Sequence, residues 1–232
     1  MELQKEKIKI LIVDDSAFMR KALSIMLNSD PEFEIVGYAK DGIEAYEMTK
    51  SLRPDIVTLD IEMPQMDGLT ALQKIMQDCP TNVLMVSSLT NEGADATIKS
   101  FEYGAVDFIP KSRSYISIDI VNIKEELLSK IKKIARQKEL RERLLKIKKL
   151  NGAQPNKEIL RTSLPKIGYK SVAIGISTGG PLSLQKVIPY LSEKINVPIF
   201  IVQHMPPRFT KSLADRLNDL SKLKVKEAED QE

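Results

Sequence analysis

Two groups of residues in this chain have the types and spacing for chemistry. In the first, Asp14 and Asp15 directly follow an apolar run, Asp60 follows another, Ser87 ends a third and Lys111 follows a fourth. Carboxylates brought together repel one another unless a cation joins them. A small all-oxygen ligand set suits Mg²⁺, which keeps waters and also accepts phosphate oxygens. A metal, an isolated carboxylate, a hydroxyl and an ammonium together suit a carboxylate that accepts a phosphoryl group, because the metal and the lysine neutralise the charge in transfer. Taken singly, Asp14 or Asp15 reads as a helix cap, Asp60 as a turn residue and Lys111 as a surface lysine. Five such groups at successive strand ends do not.

The second group is a serine and a histidine. Gly175-Ile176-Ser177-Thr178-Gly179 has the G-x-S-x-G spelling between a strand-like run and a helix-like run. Small residues permit the sharp turn that exposes a nucleophilic hydroxyl, and the following helix N-terminus can stabilise an oxyanion. The chain's one histidine, His204, ends the next apolar run. Two other readings stay open at this point: a glycine-rich turn that binds phosphate or serves packing, and a structural histidine. A Ser-His site also needs an acid to orient the imidazole. Asp215 and Asp219 fall on the helix after His204, and Glu229 and Asp230 lie near Glu232; none is expected to fill that role.

These residues must be positioned by elements. The apolar runs Ile8–Val13, Glu34–Tyr38, Ile56–Leu59, Val83–Val86 and Val106–Ile109 are short and rich in Ile, Val and Leu, the signature of strands buried on both faces of a parallel sheet. Helical stretches alternate with them at Ala17–Asn28, Gly42–Ser51, Leu69–Asp78 and Ala94–Tyr103. The alternation predicts an α/β fold with an open, doubly wound five-stranded sheet whose ligands sit at the carboxyl edge. A long helix is expected from about Ser117 to Leu150, turning strongly basic; interspersed glutamates favour i,i+4 pairing on a solvated face over a nucleic-acid arm. Asn151–Lys170, with Gly152, Pro155, Pro165 and Gly168, reads as a linker. A second α/β alternation follows: strands Val172–Gly175 and Pro198–Gln203, helices Pro181–Leu191 and Phe209–Leu220, and a strand edge at Leu223–Ala228. On its own this piece buries too little surface to be comfortably stable and is expected to be poorly protected.

At 232 residues with 42% apolar content the chain can hold two small cores, and a net charge of +3 gives no global case for nucleic acid. A single cysteine, Cys79, fits a reducing interior. Neither a signal-peptide core nor an apolar run of spanning length is present, so the expectation is a cytoplasmic protein without membrane insertion.

The motifs Ile10-Leu11-Ile12-Val13-Asp14-Asp15-Ser16, Thr58 to Gly68 around Asp60, and Ala105-Val106-Asp107-Phe108-Ile109-Pro110-Lys111 resemble a response-regulator receiver domain over residues 7–115. The resemblance implies a flavodoxin-like receiver with Asp60 as phosphoacceptor. It implies Mg²⁺ held by Asp15, Asp60 and the Glu62 backbone carbonyl with Asp14 acting through water, and Ser87, Phe108 and Lys111 as switch residues. Gly175 to Pro181, Gln203-His204-Met205-Pro206-Pro207, Phe209 to Ala214 and Val225 to Asp230 resemble the chemotaxis protein-glutamate methylesterase family, CheB, as does Ser88-Leu89-Thr90.

By that second resemblance, residues 171–232 form a partial Rossmann-like catalytic domain joined through a basic helix and linker at 116–170. Ser177 attacks the methyl ester of a receptor glutamate, His204 is the base and then the acid, Thr178 lies beside the nucleophile, and no cofactor serves the ester site. Deamidation of receptor glutamines is also implied. The implied partners are a chemotaxis histidine kinase and methyl-accepting chemoreceptors, with phosphorylation relieving occlusion of the ester site by the receiver. The family's triad aspartate lies beyond this chain, so the expectation is a truncated enzyme with its rate lowered about 10⁴-fold or more. The alternative is a non-catalytic phosphoacceptor, for which residues 7–115 suffice.

Overall fold

The computed structural model describes residues 6–88, 90–111, 123–137 and 168–230, the Asn91 side chain apart. Strands β1 (Ile8–Val13), β2 (Phe33–Ala39), β3 (Ile56–Asp60), β4 (Asn82–Ser88) and β5 (Asp107–Lys111) alternate with helices α1 (Ala17–Asn28), α2 (Gly42–Leu52), α3 (Gly68–Asp78) and α4 (Asn91–Glu102). The strands are all parallel, in the order β2-β1-β3-β4-β5. Because the first crossover runs to one side of β1 and the next to the other, the carboxyl ends of β1 and β3 lie side by side at the switch point.

Buriedness explains the strand composition. Ile10, Leu11, Ile12, Val13, Val57, Leu59, Val83, Leu84 and Met85 have no exposure, because helices cover both faces. Each helix starts on a side chain that accepts an otherwise unpaired amide: Ser16 from Met19, Asp41 from Ile43 and Glu44, Asp67 from Thr70, Thr90 from Gly93. Thr90 starts α4 three residues ahead of the expected helix. Gly68 lies so close to the end of β3 that a Cβ would overlap the Asp60 carbonyl, and its amide donates to Ile61 O at 2.9 Å.

A fifth helix, α5, spans 123–137. It buries Leu127, Ile131 and Ile134 with Leu23, Leu27 and Ile109. The ends of the expected 117–150 helix, and the expected linker from 151 to 167, lie outside the described residues. Two of its lysines are structural rather than solvated: Lys130 contacts Asp107 and Glu126, and Lys132 lies 2.7 Å from both Asp30 and Glu32.

Beyond it, β6 (Val172–Ile176) and β7 (Ile199–Gln203) form a two-stranded parallel sheet with α6 (Gly180–Val187), a 3₁₀ turn (Ile188–Tyr190) and α7 (Phe209–Leu220). The single helix expected from Pro181 to Leu191 breaks because Pro189 has no amide hydrogen to continue it. The expected strand edge at Leu223–Ala228 does not form. Val225 N donates to the Asn218 side chain, and Thr210 Oγ1 bonds Glu227, where a ladder would have been.

This unit does not stand apart. Leu184, Ile188, Phe209, Leu213 and Leu217 are buried in the same apolar core as Ile98, Phe101, Ala105 and Phe108. Each such burial contributes roughly 1.5–3 kcal/mol. The Arg216–Glu102 pair, at 2.7 Å and part-exposed, contributes at most about 1 kcal/mol. Apolar packing therefore does most to join the units, so residues 172–230 are not the isolated piece for which poor protection is expected. What remains open to solvent is the sheet, where Phe200 and Val202 are 59% and 70% exposed.

Candidate functional site

The carboxyl edge of the first sheet gathers the acidic group. β1 ends at Val13, so Asp14 and Asp15 emerge beside Asp60, the last residue of β3, and Lys111 closes β5. Asp14 and Asp60 are buried and Asp15 is exposed. One carboxylate oxygen from each of the three lies within 4.8 Å of the others. Lys111 Nζ sits 3.0 Å from Asp14 Oδ2 and 2.6 Å from Asp60 Oδ2. Both oxygens are buried and lack a well-aligned hydrogen bond, so the short distances make these ion pairs rather than satisfied bonds.

One ammonium against two buried carboxylates leaves negative charge in excess. Burial pushes the Asp60 carboxyl up from its ordinary 3.8 to about 6; Lys111 opposes the rise and Asp14 adds to it. Burial likewise raises Asp14, against the pull of Lys111. For Lys111 burial disfavours the charge, yet Asp60 and Asp14 outweigh it and hold the ammonium above the ordinary lysine value. Excess charge, convergent oxygens and two under-bonded carboxylate atoms fit a hard divalent cation.

The backbone around these groups is held from several sides. Asp14 Oδ1 accepts from Ser16 N at 3.0 Å, and Arg20 Nη1 donates to the carbonyls of Asp14 at 2.7 Å and Asp15 at 3.0 Å. Glu62 N donates to Asp60 Oδ1 at 3.3 Å, and its side chain accepts from Ser88 Oγ at 3.1 Å. The buried Ser87 hydroxyl donates to Gly93 O at 3.0 Å, at the start of α4. Sequence reasoning missed Arg20, because an arginine on a surface helix carries no local sign that it clamps a loop six residues back.

Phe108 is buried with Lys130 Nζ 5.0 Å from its ring centroid. Its ring stacks on Phe209 of the second unit, and it meets Phe101 edge-on. Beside it, the buried Asp107 accepts from Lys130 Nζ at 3.1 Å and from Gly179 N at 3.2 Å. Asp107 thus places a carboxylate at the N-terminus of α6, two residues past Ser177. Sequence alone gave no reason to single it out, since its partners lie 23 and 72 positions away.

Parallel pairing of β6 with β7 ends at Ile176 and Gln203, which brings Ser177 and His204 to adjacent strand ends. Gly179 takes φ +73, the left-handed conformation that lets the chain turn sharply into α6. Among the described residues no hydrogen bond joins the Ser177 hydroxyl to the His204 ring, and no carboxylate bonds that ring. Asp215 instead pairs with Lys211 at 3.4 Å on the exposed side of α7.

Residues 10–118 match the response regulator receiver domain family and residues 172–232 match the CheB methylesterase family. A protein-glutamate methylesterase/protein-glutamine glutaminase of Pyrococcus horikoshii is 53% identical over 235 residues, covering 99% of this chain and 61% of that protein. One of the same description from Thermotoga maritima is 49% identical, covering 97% of this chain and 63% of that protein. The chain therefore spans about three fifths of these relatives. The crystal structure of the response regulator domain of Thermotoga maritima CheB superposes with a TM-score of 0.52 at 49% identity, covering 56% of this chain and 98% of that one. No helix among the described residues is long and apolar enough to cross a membrane.

Proposed function

The chain belongs to the CheB family of chemotaxis response regulators, and from that membership we propose that it is a phosphorylation-gated regulator of receptor modification in the cytoplasm. The observation that carries the proposal is the Asp14–Lys111–Asp60 cluster at the carboxyl edge of the first sheet.

Asp60 is the phosphoacceptor. Its ionised Oδ attacks the phosphorus of the donor, the bond from phosphorus to the donor breaks, and the donor leaves with its electron pair. Lys111 stabilises the charge on the transferred oxygens. Mg²⁺, when bound, would supply a second positive charge against the negative charge of the group in transfer. Asp15, Asp60 and the Glu62 backbone carbonyl would hold it, with Asp14 acting through a water. Ser87 and Phe108 respond to the phosphoryl group, and a chemotaxis histidine kinase is its source.

The output is hydrolysis of a glutamyl methyl ester on a chemoreceptor, with deamidation of glutamine by the same route. Ser177 Oγ attacks the carbonyl while His204 takes its proton; methanol, or ammonia, leaves with a proton returned from His204, and water then frees the acyl group as glutamate. Gating has a physical path through contacts between the units: Phe108 on Phe209, Asp107 on Gly179, and Gln185 Nε2 donating to Ile98 O at 3.3 Å. A second reading, a phosphoacceptor without ester chemistry, is favoured by the lack of a Ser177–His204 hydrogen bond among the described residues.

Acetyl phosphate with Mg²⁺ tests the first step: wild-type protein should gain one acid-stable, base-labile phosphoryl group that Asp60→Asn lacks. An unlabelled wild type would sink the receiver reading. Ser177-dependent methanol release from methylated receptors separates the two outputs.

A further inference from the structure

The ladder between β6 and β7 runs out where the Ser-His pair begins. His204 N still reaches Ile176 O, at 3.4 Å, and among the described residues no main-chain hydrogen bond ties the strands beyond that point. A side chain does so instead. Gln203 Nε2 lies 3.2 Å from Ser177 O and 3.2 Å from His204 O. One carboxamide thus spans the backbone of both residues.

Its orientation is fixed by chemistry: the reverse rotamer would set an amide oxygen against two carbonyl oxygens. Oε1 is consequently driven inward, where it is buried without a hydrogen bond. It lies over Gly180, where any Cβ would overlap it. Leaving a buried acceptor unpaired costs on the order of 1–3 kcal/mol. A methionine of similar shape would avoid that cost, so packing alone does not account for a glutamine here; its two N–H donors do.

We propose that Gln203 is a positioning residue of the Ser177–His204 site, holding the two strand ends in register through their carbonyls, and that Gly180 lacks a side chain in order to seat it. The inference rests on reading Ser177 and His204 as a nucleophile and base. A displacement near 1 Å between such groups costs about 10²-fold in rate.

The test uses the whole chain with Gln203→Met, which keeps the shape and removes both donors. His204 is the single histidine, so its ring ¹⁵N and ¹³C resonances are unambiguous. In Gln203→Met these resonances should shift or split at pH 7, and kcat for methyl-ester hydrolysis should fall about a hundredfold with KM little changed. Phe209→Leu, which loosens the same unit without touching the strand ends, should leave the ring resonances in place. Wild-type His204 resonances in Gln203→Met would overturn the proposal. Should that variant fail to fold, the isosteric Gln203→Glu carries the same comparison. Absence of Ser177-dependent hydrolysis in the wild type defeats the hydrolase reading instead, and the resonance comparison still decides whether Gln203 sets the ring.

Discussion

The ring of Phe108 lies face to face with that of Phe209, centroids 4.6 Å apart and planes 16° from parallel. Phe108 stands three residues before Lys111 on β5, and Phe209 five residues after His204 at the start of α7. Any rotation of Phe108 away from its buried position must first break this stack. A phosphoryl group that favours such a rotation thereby disfavours docking of the second unit. By linkage, docking must disfavour phosphorylation by the same factor.

Phe209→Ala should therefore do two things at once. Loss of a fully buried aromatic ring and the cavity it leaves should lower stability by about 3–5 kcal/mol, read as the urea midpoint. At the same time Asp60 should be labelled faster by acetyl phosphate than in wild type, because Phe108 is no longer held. Slower labelling, with the receiver still folded, would contradict the coupling.

The acidic cluster predicts how stability follows pH. Asp60 has a folded-state value near 6 against an ordinary 3.8, so between those values the folded state holds more protons than the unfolded one. The sign is then fixed: without metal, the Asp60 contribution to stability falls as pH rises from about 4 to above 6. A shift of this size corresponds to roughly 3 kcal/mol. Urea unfolding in EDTA at pH 4.5 and 7.5 should show about 2 kcal/mol of this loss in wild type, the rest falling below pH 4.5, and much less of it in Asp60→Asn. Millimolar Mg²⁺ should restore stability at pH 7.5 to wild type more than to the variant.

Gly68→Ala should be severely destabilising, beyond about 3 kcal/mol, since its Cβ would overlap the Asp60 carbonyl and neither backbone can yield freely. Gly168→Ala, where a Cβ meets nothing within 4 Å, is the matched control and should stay within about 0.5 kcal/mol of wild type. Thermal or urea midpoints of the pair give the answer.

Lys130→Met should cost about 3–5 kcal/mol, because it leaves Asp107 a buried carboxylate stripped of its ammonium. Lys130→Met combined with Asp107→Asn should recover a large part of that loss. A double variant no more stable than Lys130→Met would show that Lys130 acts through its carbonyl bond to Phe108, 2.7 Å long, and not through Asp107.

Much of this was legible in the sequence. The five-strand alternation and the acidic cluster could be read because strands buried on both faces show as unbroken Ile, Val and Leu runs, and because their ends fall together at one sheet edge. The Ser177 and His204 strand ends were legible because each follows a short apolar run, although the β6–β7 sheet is open to solvent on one side. What escaped was long-range: Asp107 on Gly179, Phe108 on Phe209, and Gln203 across two carbonyls. A buried aspartate, a phenylalanine and a glutamine look locally like any others, and their roles come only from residues brought near by folding. The strand expected after α7 failed because an asparagine side chain and a threonine–glutamate contact took the polar groups a ladder would have used.

The apolar core that passes from Ile98 and Phe108 to Phe209 and Leu217 means that peptide continuity is not what keeps the two sheets together. A chain nicked between residues 137 and 168 would travel as one particle on a sizing column and come apart only on denaturation. The receiver and the second unit carry separate sheets, but together they form a single object of folding, and separating them means exposing part of a hydrophobic interior.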